Sequence, residues 1–245
     1  GPPLSGKTTA LRTWALALAH SYPPERVALL LIDFQQRFFK YGGAHTLADL
    51  PHVLDAVSEK EQLGAAVEKL KYEYLTRRDN GARPELFVLV DNYDDWPNVV
   101  GSGTRATEYG ELAELARKFG PEGLHFVIGG SLGILRAMDD LMKQVISPRF
   151  GLGLDSGDAP GALGGRVRGG GSEEFPPGRG YIVKAGRVAL VQTGLPHDES
   201  DLEGSLDRWV DEIAAFYPQR AQWYRDTHPP QPAEAPSGPV AAPAK

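Results

Sequence analysis

Cysteine is absent from the 245 residues, which excludes disulfide staples and zinc–thiolate sites and suits a reducing cytoplasm. Long apolar runs are missing as well. Stretches such as Val27 to Ile32 fall far short of the ~20 residues a membrane-spanning helix needs. Nor is there an excess of basic residues: 26 Lys and Arg stand against 32 Asp and Glu, for a net charge of −6. A protein that coats nucleic acid by charge alone is usually basic, so that class is disfavoured, although a local basic patch stays compatible with these numbers. The six histidines show no metal-ligand spacing. What remains is 41% hydrophobic and 24% charged, the composition of an ordinary globular chain long enough to bury a core without staples.

Alternating strand and helix patterns run through most of the chain. An apolar helical stretch covers Thr9 to His20, and Val27 to Ile32 reads as a buried parallel strand ending at Asp33. Ser58 and Glu61 form a capping-box pattern before a helix that reaches about Arg78, with Leu63, Val67, Leu70 and Tyr74 on one face and Asn80-Gly81 as its stop. Leu86 to Val90 and Leu124 to Ile128 are further buried strands. A helix near 107–119 separates them, and Ile134, Met138, Leu141 and Val145 mark another helix behind. Tyr181 to Lys184 and Arg187 to Gln192, joined by Ala185-Gly186, predict an antiparallel hairpin. A last amphipathic helix is expected over Asp201 to Tyr217, behind Ser200 and Glu203. The pattern predicts an α/β fold, a mainly parallel sheet with flanking helices and a C-terminal antiparallel hairpin. The folded domain is expected over residues 1–218 and a Pro/Ala-rich disordered tail over 219–245.

The chemistry is concentrated at the start. Gly1, Gly6, Lys7 and Thr8 satisfy G-x-x-x-x-G-K-[ST], a pattern this composition would produce by chance in roughly one chain of a hundred. Glycines let the backbone curl until its N–H groups point inward at phosphate oxygens, and the following helix adds its positive end. The segment Gly1, Pro2, Pro3, Leu4, Ser5, Gly6, Lys7, Thr8, Thr9 is thus the expected ATP-binding set. Lys7 is expected to reach the β- and γ-phosphates, and the Thr8 hydroxyl to ligate Mg²⁺. Because the motif opens at residue 1, the strand that should feed the loop is expected to be missing, and the chain to be an N-terminally truncated fragment.

A phosphate loop requires a carboxylate at the end of a neighbouring strand to hold the Mg²⁺ shell. Asp91, after Leu86 to Val90, fits; Asp33 is its rival but comes early. Asn92 stands where many ATP-hydrolysing motors carry Glu, and an amide can orient water but cannot take its proton. Slow hydrolysis is therefore expected unless another group substitutes. Asp94 and Asp95 are nearby candidates, with a solvated loop as the plainer reading.

Gly129-Gly130-Ser131-Leu132-Gly133 also matches G-x-S-x-G, the nucleophile elbow of serine hydrolases, with Asp155 or Asp158 and then His197 following in triad order. A chain with 29 glycines yields that pattern by chance in roughly one case of seven. A Ser131 hydrolase would also leave the phosphate loop without a role.

These ordered segments together resemble the FtsK/SpoIIIE-type motor ATPases, within the RecA-like P-loop class. The resemblance runs from Gly1 to about Gly194, through GPPLSGKTT, VALLLIDF, LFVLVDNYDDW, GLHFVIGGS, SPRFGLGLDSGDAPGALGG and PPGRGYIV. Asp91-x-Tyr93-Asp94, SGDAPGALGG and PPGRG are most similar to the C-terminal ATPase modules of type VII secretion motors, the EccC/EssC group. The resemblance implies Asn92 and Ser131 at the catalytic and sensor positions, with Arg149 and Arg179 as candidate arginine fingers. It implies ATP and Mg²⁺ as cofactors, and other ATPase modules or subunits of a ring or tandem array as partners. A secreted protein substrate is favoured over double-stranded DNA, since the winged-helix domain that follows many DNA pumps is not visible here. DNA pumps also carry Gln near Ser131, which weakens phosphate sensing as a carried-over role. A cytoplasmic location follows, with membrane contact only through upstream segments. Three functions stay open: a protein-translocating motor, a DNA translocase, and a degenerate module that binds nucleotide to gate substrate docking.

Overall fold

The computed structural model describes residues 1–79, 85–100, 107–131, 133–134, 138, 149–154, 163, 175–184 and 187–217. Four strands form a parallel sheet: β1 (Val27–Ile32), β2 (Val53–Val57), β3 (Glu85–Val90) and β4 (Leu124–Ile128), in the order β2-β1-β3-β4. Every residue of β1 is buried, as expected for a strand covered on both faces. Successive side chains leave a strand on opposite sides, and the packing follows that rule. Ala28, Leu30, Ile32, Leu86, Val88 and Val90 pack on one face with α2 (Lys60–Asp79) and α4 (Thr107–Phe119). Val27, Leu29, Leu31 and Leu89 pack on the other with α1 (Lys7–Ser21) and α5 (Leu202–Phe216). A one-turn helix, α3 (Trp96–Val99), follows β3.

A second sheet, antiparallel, is built from β5 (Arg149–Leu152), β6 (Arg179–Lys184) and β7 (Arg187–Gln192). The expected hairpin is present, and β5 extends it by one strand. The parallel sheet gains β2, which lacks a continuous apolar run because only Leu54 and Val57 of its residues are buried.

Two helix starts differ in detail from expectation. At α2 the back-reaching side chain is Gln62, which accepts from the Ser58 and Glu59 amides at 2.8 and 3.0 Å. It lies one residue past Glu61, because the first helical residue is Lys60. At α5 the cap is Asp201, accepting from Gly204 N at 3.0 Å, while Ser200 is bound to Asp198. Asn80-Gly81, Ala185-Gly186, Leu141, Val145, Asp155, Asp158 and the 219–245 tail lie outside the described residues.

β4 is the outermost strand of its sheet among the described residues, and pairs with β3. Beside it lies a cavity of about 900 Å³ bordered by Trp14, Phe126, Val127, Phe150 and Leu152. Gly1 stands at the head of this cavity, its nitrogen donating to Gly130 O just beyond β4 at 3.1 Å.

Candidate functional site

Residues 1–9 curl into a loop that runs straight into α1. Gly6 adopts φ 91°, a left-handed conformation that costs other residues ~1–2 kcal/mol. A Cβ there would also lie 2.8 Å from Gly178 N. Leu4 takes φ 59° and is almost fully exposed at the loop tip. Lys7 folds back over the loop, donating to Gly1 O at 2.9 Å and Pro2 O at 2.6 Å. Burial lowers the Lys7 pKa, and the carboxylates of Asp91 and Asp94 oppose that shift. An ammonium ion held at a loop of carbonyls and amides is poised to exchange those carbonyls for phosphate oxygens.

Across the crevice, the end of β3 delivers Asp91 to the first turn of α1. Thr8 Oγ1 donates to Asp91 Oδ2 at 2.6 Å although the residues are 83 apart in sequence. The other oxygen, Asp91 Oδ1, is buried without a partner. Burial and the nearby Asp33 raise the Asp91 pKa, against the Thr8 hydroxyl, the Asn92 amide and Lys7. A buried anion with one unused oxygen beside a threonine hydroxyl fits a hard divalent cation such as Mg²⁺. That ion takes one or two protein oxygens and completes its shell with phosphates and water. Among the described residues there is no group of three or more His, Cys, Asp or Glu that could hold a metal ion. Ser5 Oγ, also buried and unpartnered, lies in the loop itself.

Asp33 serves a different purpose. Its carboxylate accepts from Gln35 N at 2.9 Å and Phe38 N at 2.7 Å, closing the turn after β1. Arg12, one turn after Thr8, reaches the same segment by donating to Phe38 O at 3.0 Å. Asn92 occupies φ 49°, ψ 47°, a left-handed position that Asn tolerates better than most residues. Glutamate there would carry conformational strain.

Two features of the site were not readable from spacing. First, Gly178 of the PPGRG segment donates its amide to Ser5 O at 2.9 Å from φ 80°, bracing the back of the phosphate loop. Second, Asp94 grips Ser131 twice, accepting from its amide and from its hydroxyl, each at 2.6 Å. Of the candidate fingers, Arg179 lies over the Phe175 ring at 5.8 Å, and Arg149 borders the cavity beside β4.

Among the described residues Ser131 is paired with no imidazole. Its hydroxyl is taken by Asp94 and by Gly133 N at 3.2 Å. His197 sits after β7, its pKa lowered by burial and by Arg12, with Nδ1 unpartnered. The remaining triad candidates, Asp155 and Asp158, lie outside the described residues.

A glycine-rich loop opening a helix, a threonine–aspartate bridge across the crevice and a RecA-like parallel sheet define a P-loop ATPase domain. Comparison with known proteins makes the class specific. The profile of the FtsK/SpoIIIE family matches residues 1–95. The ESX-4 secretion system protein EccC4 of Mycobacterium tuberculosis is 32% identical over 210 residues, 76% of this chain and 15% of that protein. Among solved structures, EssC (ATPases 2 and 3) from Geobacillus thermodenitrificans superposes with a TM-score of 0.70 at 20% identity, covering 89% of this chain and 43% of that one. Thermomonospora curvata EccC (ATPases 2 and 3), in complex with a signal sequence peptide, gives a TM-score of 0.59 at 25% identity, covering 81% of this chain and 36% of that one. The chain is an FtsK/SpoIIIE-type ATPase domain related to the EccC and EssC ATPases of type VII secretion. It spans a small part of the length of those relatives.

Proposed function

We propose that this domain binds ATP with Mg²⁺ in the loop of residues 1–9 and turns it over slowly, as one module of a type VII secretion-like translocation ATPase. The observation that carries the reading is the bridge from Thr8 to Asp91 with the second carboxylate oxygen buried and unused. Lys7 and the loop amides would hold the phosphates, and Thr8 and Asp91 the metal, which when bound neutralises phosphate charge. Asn92 lacks a proton-accepting group, which supports slow turnover and keeps a second reading alive: a module that binds nucleotide to gate substrate docking.

The partner reading follows from the relatives. One related EccC is solved in complex with a signal sequence peptide, which favours a protein substrate here. The net charge of −6 gives duplex DNA little electrostatic pull. Other ATPase modules are the expected neighbours, since related chains carry more than one. Among the described residues no helix is long and apolar enough to cross a membrane, in keeping with a cytoplasmic place for this part.

Calorimetric titration with Mg·ATP tests the reading. The wild type should bind, and Lys7→Ala should lose most of the affinity. Unchanged binding in that variant would contradict the loop assignment. Duplex DNA binding that weakens steeply with salt would restore the DNA-translocase reading.

A further inference from the structure

Three carboxylates follow one another around the end of β3, and the structure gives each a different partner. Asp91 takes the Thr8 hydroxyl. Asp95 takes the Gln35 side-chain amide. Asp94 turns toward the end of β4 and accepts both the amide and the hydroxyl of Ser131, at 2.6 Å each. The same two chain ends are laced by Gly129 N to Val90 O at 2.8 Å and Tyr93 N to Gly129 O at 2.9 Å. Gly130, between them, accepts from Gly1, and a Cβ on Gly130 would lie 3.1 Å from Asp94 Oδ2. The grip therefore sits directly against the first residue of the phosphate loop.

The hydrogen-bond inventory of Ser131 fixes what it can offer. A serine hydroxyl has one proton and two lone pairs. The proton goes to Asp94, and one lone pair accepts from Gly133 N at 3.2 Å. One lone pair remains on an exposed side chain that borders the same cavity as Lys7, Gly129 and Gly130. Held this way, Ser131 acts as an acceptor toward water rather than as a donor.

We propose that Asp94 is a positioning residue for hydrolysis: it turns the Ser131 hydroxyl so that its oxygen receives the attacking water, supplying through a relay the carboxylate that Asn92 lacks. The proposal rests on the reading that this site binds ATP. In the step, the water oxygen bonds phosphorus as the bond from phosphorus to the ADP oxygen breaks, and ADP keeps the electron pair. The water proton passes to Ser131 Oγ while the Ser131 proton passes to Asp94.

The test uses the full chain with D94N, S131A, S131T and the D94N/S131A pair. It measures Mg·ATPγS affinity, single-turnover ATP hydrolysis, and amide hydrogen exchange at Ser131. Binding should stay within threefold of wild type in all variants. Hydrolysis should fall at least tenfold in D94N and in S131A, and the double variant should match either single one, as expected of residues acting through one path. S131T keeps the hydroxyl and should keep most of the rate, and D94N should speed exchange at the Ser131 amide. An unchanged rate in S131A, or losses that multiply in the double variant, would overturn the proposal. So would a wild type that binds ATPγS but never hydrolyses ATP, which leaves the binding reading standing. A wild type that fails to bind removes the ATP reading and this proposal together. If D94N loses affinity, S131A alone decides.

Discussion

Replacing Asp91 by Asn should make the nucleotide-free protein more stable while weakening its hold on Mg·ATP. Asp91 is 2% exposed, with one oxygen on the Thr8 hydroxyl at 2.6 Å and the other unpartnered. An unsatisfied buried acceptor costs ~1–3 kcal/mol, and more when charged. Asparagine keeps a carbonyl oxygen for Thr8 and puts a neutral NH2 group where the unpartnered charged oxygen lies. D91N should therefore gain about 1–3 kcal/mol near neutral pH through the loss of the buried charge alone. In a domain of this size that is a rise in Tm of roughly 2–12 °C. The pH dependence carries the sign. Burial, then the charge of Asp33, raises the Asp91 pKa above its ordinary 3.8. A raised acid binds its proton more readily in the folded than in the unfolded chain. Its contribution to stability is therefore complete below the ordinary value and lost as pH rises through the folded one. The advantage of D91N should be small near about pH 4 and grow toward neutrality. Calorimetric melting in EDTA without nucleotide, repeated across that range, measures it. With Mg·ATPγS at about a hundred times Kd, the wild type should gain ~2.7 kcal/mol and D91N much less. A variant that melts at or below the wild-type temperature throughout would refute the idea that a metal-ready carboxylate is held there at a cost.

Other consequences follow from the packing around the site. Gly178→Ala places a side chain at φ 80° and 3.1 Å from the Gln192 amide nitrogen. It should cost ~1–2 kcal/mol and weaken Mg·ATP binding severalfold through the loss of support at Ser5 O, read by titration. Arg77 pairs with Glu73 at 2.6 Å, both buried, and donates to Pro24 O and Glu25 O. Arg77→Ala should therefore lower stability in urea by about 3–5 kcal/mol. Burial, and then its bond to Glu122, pushes the Tyr74 pKa from its ordinary 10.0 up to about 12. Its contribution is present below the ordinary value and lost as pH rises toward the folded one, so Tyr74→Phe should flatten the alkaline fall in stability over that window.

Much of the fold was written in short-range pattern. The all-apolar run Val27 to Ile32 became the fully buried β1 because only a strand covered on both faces tolerates six apolar residues in a row. Leu63, Val67, Leu70 and Tyr74 are all buried on α2 because their spacing follows the helical period. β2 escaped that reading, since a strand near a sheet edge with two buried residues leaves little apolar signal. The caps shifted by a residue or so because Gln62 and Asp201 can replace their neighbours once the exact first turn is set.

The sequence by itself presented the G-x-x-x-x-G-K-[ST] spacing, the aspartate that ends the apolar strand Leu86 to Val90 and the amide at Asn92, because each is a matter of residue type at fixed spacing. Only the tertiary structure decided which carboxylate does what. Asp33 closes a local turn, Asp91 crosses the sheet to Thr8, and Asp94 reaches Ser131. Gly178 braces Ser5 from the far end of the chain. Such contacts join residues remote in sequence, and their partners are chosen by the order of strands in the sheet, which no local spacing encodes.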